Sequence, residues 1–501
     1  MRIPISLLCP AFALCLFLTN CTQKKSELVW DQNFYLLGSQ SSPRATDLNN
    51  DGVLDLVMGA GKNEHQYSEQ GVLALNGKTG EILWQQETQD QVYASATLYD
   101  VTGDGVQDVF VGGRSPHLRA LDGKTGEVLW AYQYQYENDS ILQHARFNFQ
   151  NGVLVPDQNK DGLQDLLIVN GGNSKADPHS EADRFPGVLM LFDTKTGQIL
   201  AADTMPDGKE SYMPAVCLKQ PDNSEPVIIF GTGGETISGH LYATTLSDLR
   251  EKKLSRARII ASEEGHGFIA PPSLADITQD GNLDIIVISH GSTTFAIDGK
   301  SYESLWQQRV PDTESSNSFA VGYFTDDDVP DFFTFVSQGQ WPLSTGSVQI
   351  LLDGQSGNIV YRDSIGCAGF SSPVVYDLNH DGYDEAIISI NEFDCSGGFA
   401  EDAPSAMENK LLAIDFHNNS AFPIDQMKGF KNIFSTPWIG DLDQDGYLDI
   451  VHCQYYSPSM DLVAFMGMRV KRISTSIRMD EPPHWGAYMG SEGDGVFPLS
   501  Q

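Results

Sequence analysis

The chain has 501 residues, of which 41% are hydrophobic and 20% charged, and its formal net charge is −36 at pH 7. This length is sufficient for a large hydrophobic core. The acidity excludes a general nucleic-acid-binding protein and a protein that binds anionic membranes by charge, since both need a basic surface.

The N-terminus predicts an export signal. Met1 and Arg2 precede the apolar run IPISLLCPAFALCLFLTN, which is too short and too early for the membrane span of a mature protein. The segment LTNC, ending at Cys21, resembles a bacterial lipobox. The resemblance implies a signal peptide at residues 1–20, a lipid on Cys21, and a lipoprotein of the bacterial outer membrane or cell surface, with the periplasm as the alternative. Simple secretion with an unmodified Cys21 is the other interpretation. Contact with a membrane is expected only through the lipid.

A nine-residue acidic motif recurs along the rest of the chain. Its first copy, DLNNDGVLD, begins at Asp47 and places oxygen side chains at positions 1, 3, 5 and 9, a glycine at position 6 and a backbone carbonyl at position 7. Ca²⁺ needs several oxygen ligands, and the glycine lets the chain turn sharply around the ion, so the motif predicts a calcium loop. A β-branched run follows each copy where an EF-hand would have a helix. The loop should therefore join two strands.

Eight units follow one another, with the first copies of the motif roughly 55 residues apart. The fourth unit has lost its loop, because Leu218 stands where the first ligand should be. In the sixth unit Tyr323 holds position 1 and Asp328 the glycine position, so we expect that loop to be empty or weak. The predicted ligands of the six intact loops are Asp47, Asn49, Asp51, Val53 and Asp55; Asp100, Thr102, Asp104, Val106 and Asp108; Asp157, Asn159, Asp161, Leu163 and Asp165; Asp276, Thr278, Asp280, Asn282 and Asp284; Asp377, Asn379, Asp381, Tyr383 and Glu385; and Asp441, Asp443, Asp445, Tyr447 and Asp449.

A second motif alternates with the loops and predicts an antiparallel hairpin. Segments such as VLALNGKTGEILWQQ and LRALDGKTGEVLWAYQ place alternating apolar residues on either side of a tight turn. Each unit would thus supply strands A and B around the acidic loop and strands C and D around the turn. Four antiparallel strands repeated eight times predict an all-β, eight-bladed β-propeller over residues 21–480. Residues 481–501 are predicted to form an ordered cap.

The position of Trp30 predicts how the ring closes. Trp84 and Trp306 lie in predicted D strands, about the same distance before the next unit as Trp30 lies before Asp47. The N-terminal strand around Trp30 should therefore supply strand D of the eighth blade, which removes an open edge. The recurrent tryptophans, including Trp130, are predicted to pack between blades.

The two motifs resemble known repeats. The segment DLNNDGVLDLVMGAG is similar to FG-GAP (integrin-α-type) repeats, and LDGKTGEVLW is similar to quinoprotein (PQQ-like) propeller repeats. The FG-GAP resemblance implies that the loop ligands hold structural calcium, about six ions in total. These repeats serve adhesion proteins, polysaccharide lyases and dehydrogenases alike, so the resemblance specifies the fold more closely than the activity.

The face opposite the acidic loops is predicted to bind a ligand, because the B-to-C connections and the entries to the A strands meet there. Histidine, arginine and aromatic residues in these segments suit an anionic or sugar ligand. Each of them could instead be an ordinary polar loop residue. The candidates are His65, Arg114, His117, His144, Arg146, Tyr212, His266, His290, Trp341, Lys431 and Tyr456, with Glu235 and Glu392 beside them.

The predicted function is a calcium-stabilised, monomeric binding or scaffold protein for a glycan or for an envelope or extracellular protein. One alternative is a carbohydrate-active enzyme of the rhamnogalacturonan-lyase type, whose base would come from the candidate face. Another is a PQQ-dependent dehydrogenase. In that family the cofactor lies against a disulfide between adjacent cysteines, whereas the sequence contains no adjacent cysteines. We therefore expect no organic cofactor.

A disulfide between Cys367 and Cys395 is predicted from the seventh unit. The two cysteines are equally far from Asp381, the centre of that unit's hairpin. Residues equidistant from the turn of an antiparallel hairpin face each other at a separation close to that of a disulfide. Two buried free thiols are the alternative.

Overall fold

The computed structural model describes residues 26–177, 183–220, 224–340, 343–367, 369–396, 407–457 and 464–499. The predicted signal peptide, Cys21 and Trp341 lie outside the described residues. Eight antiparallel sheets, each built on four strands lettered A to D from the centre of the ring outwards, follow one another along the chain. The prediction of an all-β, eight-bladed propeller is confirmed.

The strands have these bounds. Blades 1 to 4 comprise Arg44–Thr46, Asp55–Gly59, Ser68–Leu75 and Ile82–Thr88; Thr97–Tyr99, Asp108–Gly113, His117–Leu121 and Val128–Ala131; Val153–Val155, Asp165–Gly171, Val188–Phe192 and Ile199–Thr204; and Val216–Leu218, Val227–Gly231, Gly239–Thr245 and Arg258–Glu263. Blades 5 to 8 comprise Ser273–Ala275, Asp284–Ile288, Thr293–Ile297 and Ser304–Arg309; Ala320–Gly322, Asp331–Gln338, Gly346–Leu352 and Ile359–Asp363; Val374–Tyr376, Glu385–Glu392, Glu408–Asp415 and Ser420–Lys428; and Trp438–Gly440, Tyr447–Tyr456, Gly467–Arg478 and Glu27–Tyr35. Blades 3 and 6 each gain a short strand, Asn148–Phe149 and Thr313–Glu314, that also pairs with strand B.

Helices are minor elements of this fold. The α-helix Leu246–Arg250 lies between strands C and D of blade 4, and the Thr245 side chain caps it by accepting the Asp248 N–H. Two 3₁₀-helices span Leu142–His144 and Leu254–Arg256. Within the described part of the chain, no helix is long and apolar enough to cross a membrane.

The hydrophobic core is divided among the interfaces between blades. Strand B of blade 1 reads DLVMG and strand B of blade 5 reads DIIVI, and every residue in both is buried. Such continuous apolar runs are expected of strands that are covered on both faces. In the first interface, Val57 and Trp84 of blade 1 pack with Val109 and Val111 of blade 2. The blades therefore stabilise one another rather than folding around separate cores.

The N-terminal strand closes the ring. Glu27–Tyr35 pairs antiparallel with strand C of blade 8, from Glu27 opposite Ser474 to Tyr35 opposite Gly467. Trp30 is buried in a cluster that contains residues of blades 8 and 1. The prediction that this strand completes the last blade is confirmed.

Each strand-D tryptophan ties its blade to the next. The indole N–H of Trp30 donates to the Gly77 carbonyl at 2.7 Å, and that of Trp84 donates to the Gly123 carbonyl at 2.8 Å. Trp130 and Trp306 make the same bond to the C–D turns of blades 3 and 6, at the carbonyls of Thr194 and Gly354. A glycine with positive φ lies under each indole, so that any side chain there would collide with the ring. These glycines are Gly80, Gly126, Gly197 and Gly357.

A belt of hydroxyl and amide side chains joins the inner strands around most of the ring. In each step a backbone N–H donates to a side-chain oxygen of the next blade, and the distances lie between 2.9 and 3.3 Å. The steps run from Ser318 to Ser372, Thr436, Ser42, Ser95 and Asn151. Buried backbone donors need such partners, so the belt both satisfies them and fixes the spacing of blades.

The C-terminal tail lies in the central channel at the end that carries the acidic loops. Trp485 and Val496 form β-bridges with the inner strands of blades 7 and 5. Phe497 packs against Tyr323, at the start of the sixth loop. Farther in, the buried guanidinium of Arg44 donates to the Tyr488 carbonyl at 2.7 Å. The tail therefore occupies one end of the channel.

Candidate functional site

The six intact loops share one backbone geometry. In every loop the glycine N–H at position 6 donates to the carboxylate at position 1, at 2.8 to 3.0 Å. The N–H at position 7 donates to the carboxylate at position 5, at 2.9 to 3.1 Å. The chain thus wraps the oxygens of positions 1, 3 and 5 around one small volume in each loop.

The glycine at position 6 is required by its backbone conformation. Its φ lies between +83° and +91° in all six loops, and position 4 also has a positive φ, as at Asn50 and Gln444. In the sixth loop, within the described residues 323–331, neither Asp326 nor Asp328 has a positive φ. That loop therefore follows a different path, as its sequence suggests.

The carboxylate at position 9 acts as a buried strut. Asp55 accepts the N–H of Leu48 inside its own loop and the N–H of Gly77 in the C–D turn, both at 3.0 Å. Asp108 and Asp284 make the equivalent pairs of bonds. The sixth loop keeps this strut at Asp331, although its other ligand positions have changed. The strut is thus a property of the fold, and positions 1, 3, 5 and 7 are the ones that distinguish a cation loop.

The eighth loop holds the densest group of carboxylates. Oxygens of Asp441, Asp443 and Asp445 lie within 4.8 Å of one another. Blade 8 has no C–D turn, because its strand D comes from the N-terminus, and Arg472 takes the place of the turn. Its guanidinium donates to Asp443 Oδ2 at 2.5 Å and to Asp449 Oδ2 at 2.8 Å.

Two oxygens of this loop have no partner. Asp443 Oδ1 and Asp449 Oδ1 are buried without a hydrogen bond. An unpaired buried carboxylate oxygen is strongly unfavourable, so the arrangement suits a bound cation. Burial raises the pKa of Asp449 to about 6.

The seventh loop gains a carboxylate from outside its nine-residue motif. Asp415, from the C–D turn of the same blade, lies with Asp381 and Glu385 in a group whose oxygens are within 4.8 Å of one another. Burial raises the pKa of Glu385 to about 8, and the charges of Asp415, Asp377 and Asp381 act in the same direction. Asp415 starts a turn, where an Asp usually caps backbone amides, so its sequence context gave no metal signal.

On the opposite face, the loops of blades 1 to 3 meet around His65. Its ring lies 3.5 Å from Ser115 Oγ and 3.3 Å from Ser174 Oγ, which belong to blades 2 and 3. Beside it Arg114 forms an ion pair with Glu64 at 3.1 Å and lies over the Tyr93 ring. Two of the predicted candidates, His65 and Arg114, are therefore brought together.

A second polar group lies between blades 3 and 4. Arg184 Nη1 donates to Glu210 Oε1 at 2.5 Å, and the Tyr212 hydroxyl donates to the other oxygen of Glu210 at 3.1 Å. Burial raises the pKa of Tyr212 well above its ordinary value. Arg184 and Glu210 were not predicted, because neither belongs to a recognisable motif.

The remaining candidates are spread around the ring. Arg146 is exposed and lies over the Phe185 ring, with His144 nearby. Burial lowers the pKa of His117 to about 3. Lys431 is 2% exposed, and Tyr456 lies at the surface.

His266, in the connection from blade 4 to blade 5, and His290, between strands B and C of blade 5, have ring centroids 5.7 Å apart. This is the only pair of candidate histidines that the described structure places in ring contact.

A Ser–His–Asp arrangement is buried between blades 7 and 8. Ser389 Oγ lies 3.1 Å from His452 Nε2, and His452 Nδ1 lies 3.8 Å from Asp425. Ser389 and His452 are completely buried, and Asn409 and Asn432 both donate to Ser389 Oγ. The hydroxyl is thus enclosed in a polar network that substrates cannot reach, so this group has a structural role.

The cysteines form the predicted pair. Cys367 and Cys395 are joined in a disulfide, with Cα atoms 5.9 Å apart, at the edge of the face opposite the loops. Cys217 and Cys453 are buried free thiols.

Two clefts open on the loop face beside the tail. One, of about 260 Å³, is lined by Asp377, Asp384 and Trp485. The other, of about 850 Å³, lies between the fifth, sixth and seventh loops and is lined by Asp276, Asp326, Asp327, Asp328 and Asp381. These acidic linings disfavour anionic ligands on the loop face.

Comparison with sequence families gives a match over most of the ring. Residues 71–380 match the FAM234A/B β-propeller family. The chain is 22% identical to protein FAM234B of mouse over 408 residues and 22% identical to human FAM234B over 409 residues. Each alignment covers 74% of this chain and 60% of the relative. The chain therefore matches less than two thirds of the length of these relatives.

These relatives correct the predicted location. They come from mouse and human, so the prediction of a lipoprotein of the bacterial outer membrane, cell surface or periplasm is wrong. The prediction depended on a segment of four residues ending at Cys21, whereas the relationship extends over 74% of the chain.

Comparison with solved structures supports the fold alone. A europium-containing methanol dehydrogenase superposes with a TM-score of 0.55 at 11% identity and covers 90% of this chain and 93% of its own. A quinohemoprotein alcohol dehydrogenase from Pseudomonas putida superposes with a TM-score of 0.57 at 10% identity and covers 91% of this chain and 77% of its own. At such low identity these similarities carry no information about activity.

Proposed function

The chain belongs to the FAM234A/B β-propeller family, and we propose that it is a calcium-stabilised binding or scaffold propeller for a protein or glycan partner. The partner would bind the face opposite the acidic loops. The observation that carries this proposal is the difference between the two ends of the channel. The tail occupies the loop end, whereas at the other end polar and aromatic side chains of neighbouring blades meet, as at His65 and Ser174.

Calcium is proposed as a structural component of the blades. The support comes from the eighth loop, where Asp443 Oδ1 and Asp449 Oδ1 are buried without partners beside Asp441 and Asp445. An ion bound by Asp441, Asp443 and Asp445 would satisfy the Asp443 oxygen and offset the like charges. In each loop the side chains at positions 1, 3 and 5 and the carbonyl at position 7 would hold the ion.

A binding role suits the chemistry of the opposite face. Arg114 and Arg146 each lie over an aromatic ring, an arrangement that holds a guanidinium in place while leaving it available for hydrogen bonds. Arg146 is exposed, and its planar group can donate to carboxylates or sugar hydroxyls.

The test is a glycan array and a panel of candidate extracellular protein domains, probed with wild-type protein and the Arg146→Ala variant. A matched control is Arg478→Ala, which removes an exposed arginine at the end of strand C of blade 8, near the loop face. We expect Arg146→Ala to weaken binding about tenfold and Arg478→Ala to leave it unchanged. If the two variants lose binding equally, or if only Arg478→Ala loses it, the ligand does not bind at the face opposite the loops.

Each of the two enzyme alternatives can be tested by its own assay. A rhamnogalacturonan-type lyase would generate an unsaturated product that is measured by its ultraviolet absorbance. A PQQ-dependent dehydrogenase would bind added PQQ, and the absorbance spectrum of the quinone would change on binding. The described residues do not suit the quinone, since the disulfide joins cysteines that are not adjacent and the tail lies on the axis.

A further inference from the structure

The smaller cleft on the loop face lies where the seventh loop, the inner strands of blades 6 and 7 and the C-terminal tail meet. It has a volume of about 260 Å³, and its lining combines carboxylates with aromatic rings. From this lining, and from a buried donor in it that has no partner, we propose that the cleft binds a small organic cation that carries hydroxyl groups, of the size of an amino monosaccharide. This inference is independent of the partner proposed for the opposite face and of the calcium loops.

The donor without a partner is the indole N–H of Trp485. The Trp485 side chain lines the cleft and is 1% exposed, and no described residue accepts a hydrogen bond from its Nε1. In contrast, the indole N–H groups of four strand-D tryptophans each donate to a backbone carbonyl. A buried N–H without an acceptor is unfavourable. An oxygen atom of a ligand in the cleft would satisfy it.

The indole is held in place by both its backbone and its ring. The Val375 N–H donates to the Trp485 carbonyl at 3.0 Å, and the Ile439 N–H donates to the carbonyl of the next residue, Gly486, at 2.8 Å. The ring belongs to the hydrophobic cluster that also contains Val375 and Phe497. The donor is therefore fixed before any ligand arrives, as a selective binding site requires.

Asp384 supplies a carboxylate that the seventh loop does not use for calcium. It stands at position 8 of the nine-residue motif, and its side chain turns toward blade 6, where Oδ2 accepts the Tyr323 N–H at 2.8 Å. A side chain at Gly322 would lie 2.7 Å from the same oxygen. Strand A of blade 6 therefore has a glycine where the carboxylate of blade 7 enters the cleft.

The charges of the lining favour a cationic ligand. Asp480 and Glu481, where the chain enters the tail, line the cleft together with Asp384, and the described lining residues include no lysine or arginine. Carboxylates gathered in a cleft attract a cation and repel an anion. An ammonium group donates three hydrogen bonds, so several carboxylates can share it. A metal ion carries no acceptor for the Trp485 N–H, whereas a hydroxyl group does.

The volume and the aromatic rings limit the size of the ligand. A cavity of about 150 Å³ holds benzene, so a cleft of about 260 Å³ accommodates one six-membered ring with substituents. The rings of Trp485 and Phe497, with centroids 6.4 Å apart, line the cleft together with Tyr376. Aromatic rings beside carboxylates suit an organic cation. An amino monosaccharide combines one ring, an ammonium group and hydroxyl oxygens that can accept from the indole.

The experiment titrates purified protein, in saturating calcium, with two amines and their neutral counterparts by calorimetry. The amines are glucosamine and ethanolamine, and the neutral molecules are glucose and ethylene glycol. Calcium is present so that the amines do not compete for the carboxylates of the acidic loops. We expect one glucosamine to bind per chain, and we expect glucose to bind at least tenfold more weakly than glucosamine.

Trp485→Phe removes the N–H and keeps an aromatic ring, and Asp384→Asn removes the charge and keeps an acceptor for the Tyr323 N–H. Each should weaken glucosamine binding at least tenfold, with melting curves to show that the variants fold. Asp326→Asn is the matched control, because its carboxylate lines the neighbouring cleft, and it should bind like wild type. The proposal is wrong if wild type binds neither amine saturably, if Asp384→Asn binds glucosamine as tightly as wild type, or if Asp326→Asn loses as much affinity.

Discussion

At the scale of single residues, the bond from a strand-D tryptophan to the C–D turn of the next blade recurs at Trp30, Trp84, Trp130 and Trp306. Trp84 donates to the Gly123 carbonyl and covers Gly126. A glycine is needed there both for its positive φ and because the indole leaves no space for a side chain. The tryptophans and turns were visible in the sequence, which is why this packing could be predicted.

Gly126→Ala tests this contact. An alanine Cβ would lie 2.6 Å from the Trp84 ring on a backbone with φ of +73°. We expect a loss of stability of about 2–3 kcal/mol, measured by thermal unfolding. Gly208→Ala is the control, since it has nearly the same φ, +71°, and no atom within 4 Å of the new Cβ. Equal losses in the two variants would mean that the indole is not a constraint.

Buried histidines predict a loss of stability in acid. Burial lowers the pKa of His117 to about 3, and burial is also the main cause of the lowered pKa of His452. In the unfolded chain both would bind a proton near pH 6.5. Their contribution is therefore complete above pH 6.5 and is lost as the pH falls toward the folded-state pKa.

For His117 the loss at pH 5 is about 2 kcal/mol. Melting temperatures between pH 7.5 and 5 should fall less steeply in His117→Asn than in wild type. Calcium is kept saturating, because buried loop carboxylates such as Asp165 have raised pKa values and would change stability in the opposite direction. An identical slope in the variant would contradict the assignment.

At the scale of elements, the acidic loop and the C–D turn form one unit in most blades. The position-9 carboxylate joins them, as Asp55 does with Gly77. Sequence spacing predicted the loop and the turn separately but not their connection, because hydrogen bonds between distant segments leave no local pattern. Arg472 and Asp415 were missed for the same reason.

Calcium should act as a stability ligand. If only folded loops hold the ions, a chelator should lower the melting temperature by an amount set by mass action at each site. Asp51→Ala should remove one ion in elemental analysis, whereas Asp327→Ala, in the altered sixth loop, should remove none. A melting curve that excess chelator leaves unchanged, with no calcium in the protein, would end this proposal.

The disulfide should join the segment that leads into strand A of blade 7 to the connection that follows strand B of the same blade. Cys367 and Cys395 are 28 residues apart, and closing a loop of this size is worth about 3.6 kcal/mol in the chain-entropy model. Titration of the unfolded, unreduced protein should therefore leave these two cysteines unreactive, with reactive thiols mapped to Cys217 and Cys453. Reaction of Cys367 and Cys395 would show that they are reduced.

At the scale of the whole molecule, the ring depends on a strand from the other end of the chain. The sequence predicted eight blades and this closure because both follow from a repeat period and from the place of Trp30 within it. The path of the tail through the channel was not predictable, since residues 481–499 have no periodicity. The predicted location was wrong because it depended on four residues ending at Cys21, which carry much less information than a relationship over 74% of the chain.

A chain that begins at residue 39 tests the closure. It lacks Glu27–Tyr35, so strand C of blade 8 becomes an open edge and the contacts of Trp30 are lost. We expect aggregation or a strongly reduced yield. A soluble monomer with the wild-type melting curve would show that the strand is dispensable.

The closing strand also sets the order in which the protein can be made. Glu27–Tyr35 is synthesised well before its partner, Gly467–Arg478, because the other strands of the ring lie between them in the chain. At about 5–20 residues per second, the first strand waits for roughly 20 to 90 seconds. During that time the strand has no pairing partner. A chaperone would have to cover its apolar side chains until strand C of blade 8 is made. If translation stops before residue 467, Glu27–Tyr35 stays unpaired and the last sheet stays incomplete. Cellular quality control can then recognise the incomplete protein by these exposed strands.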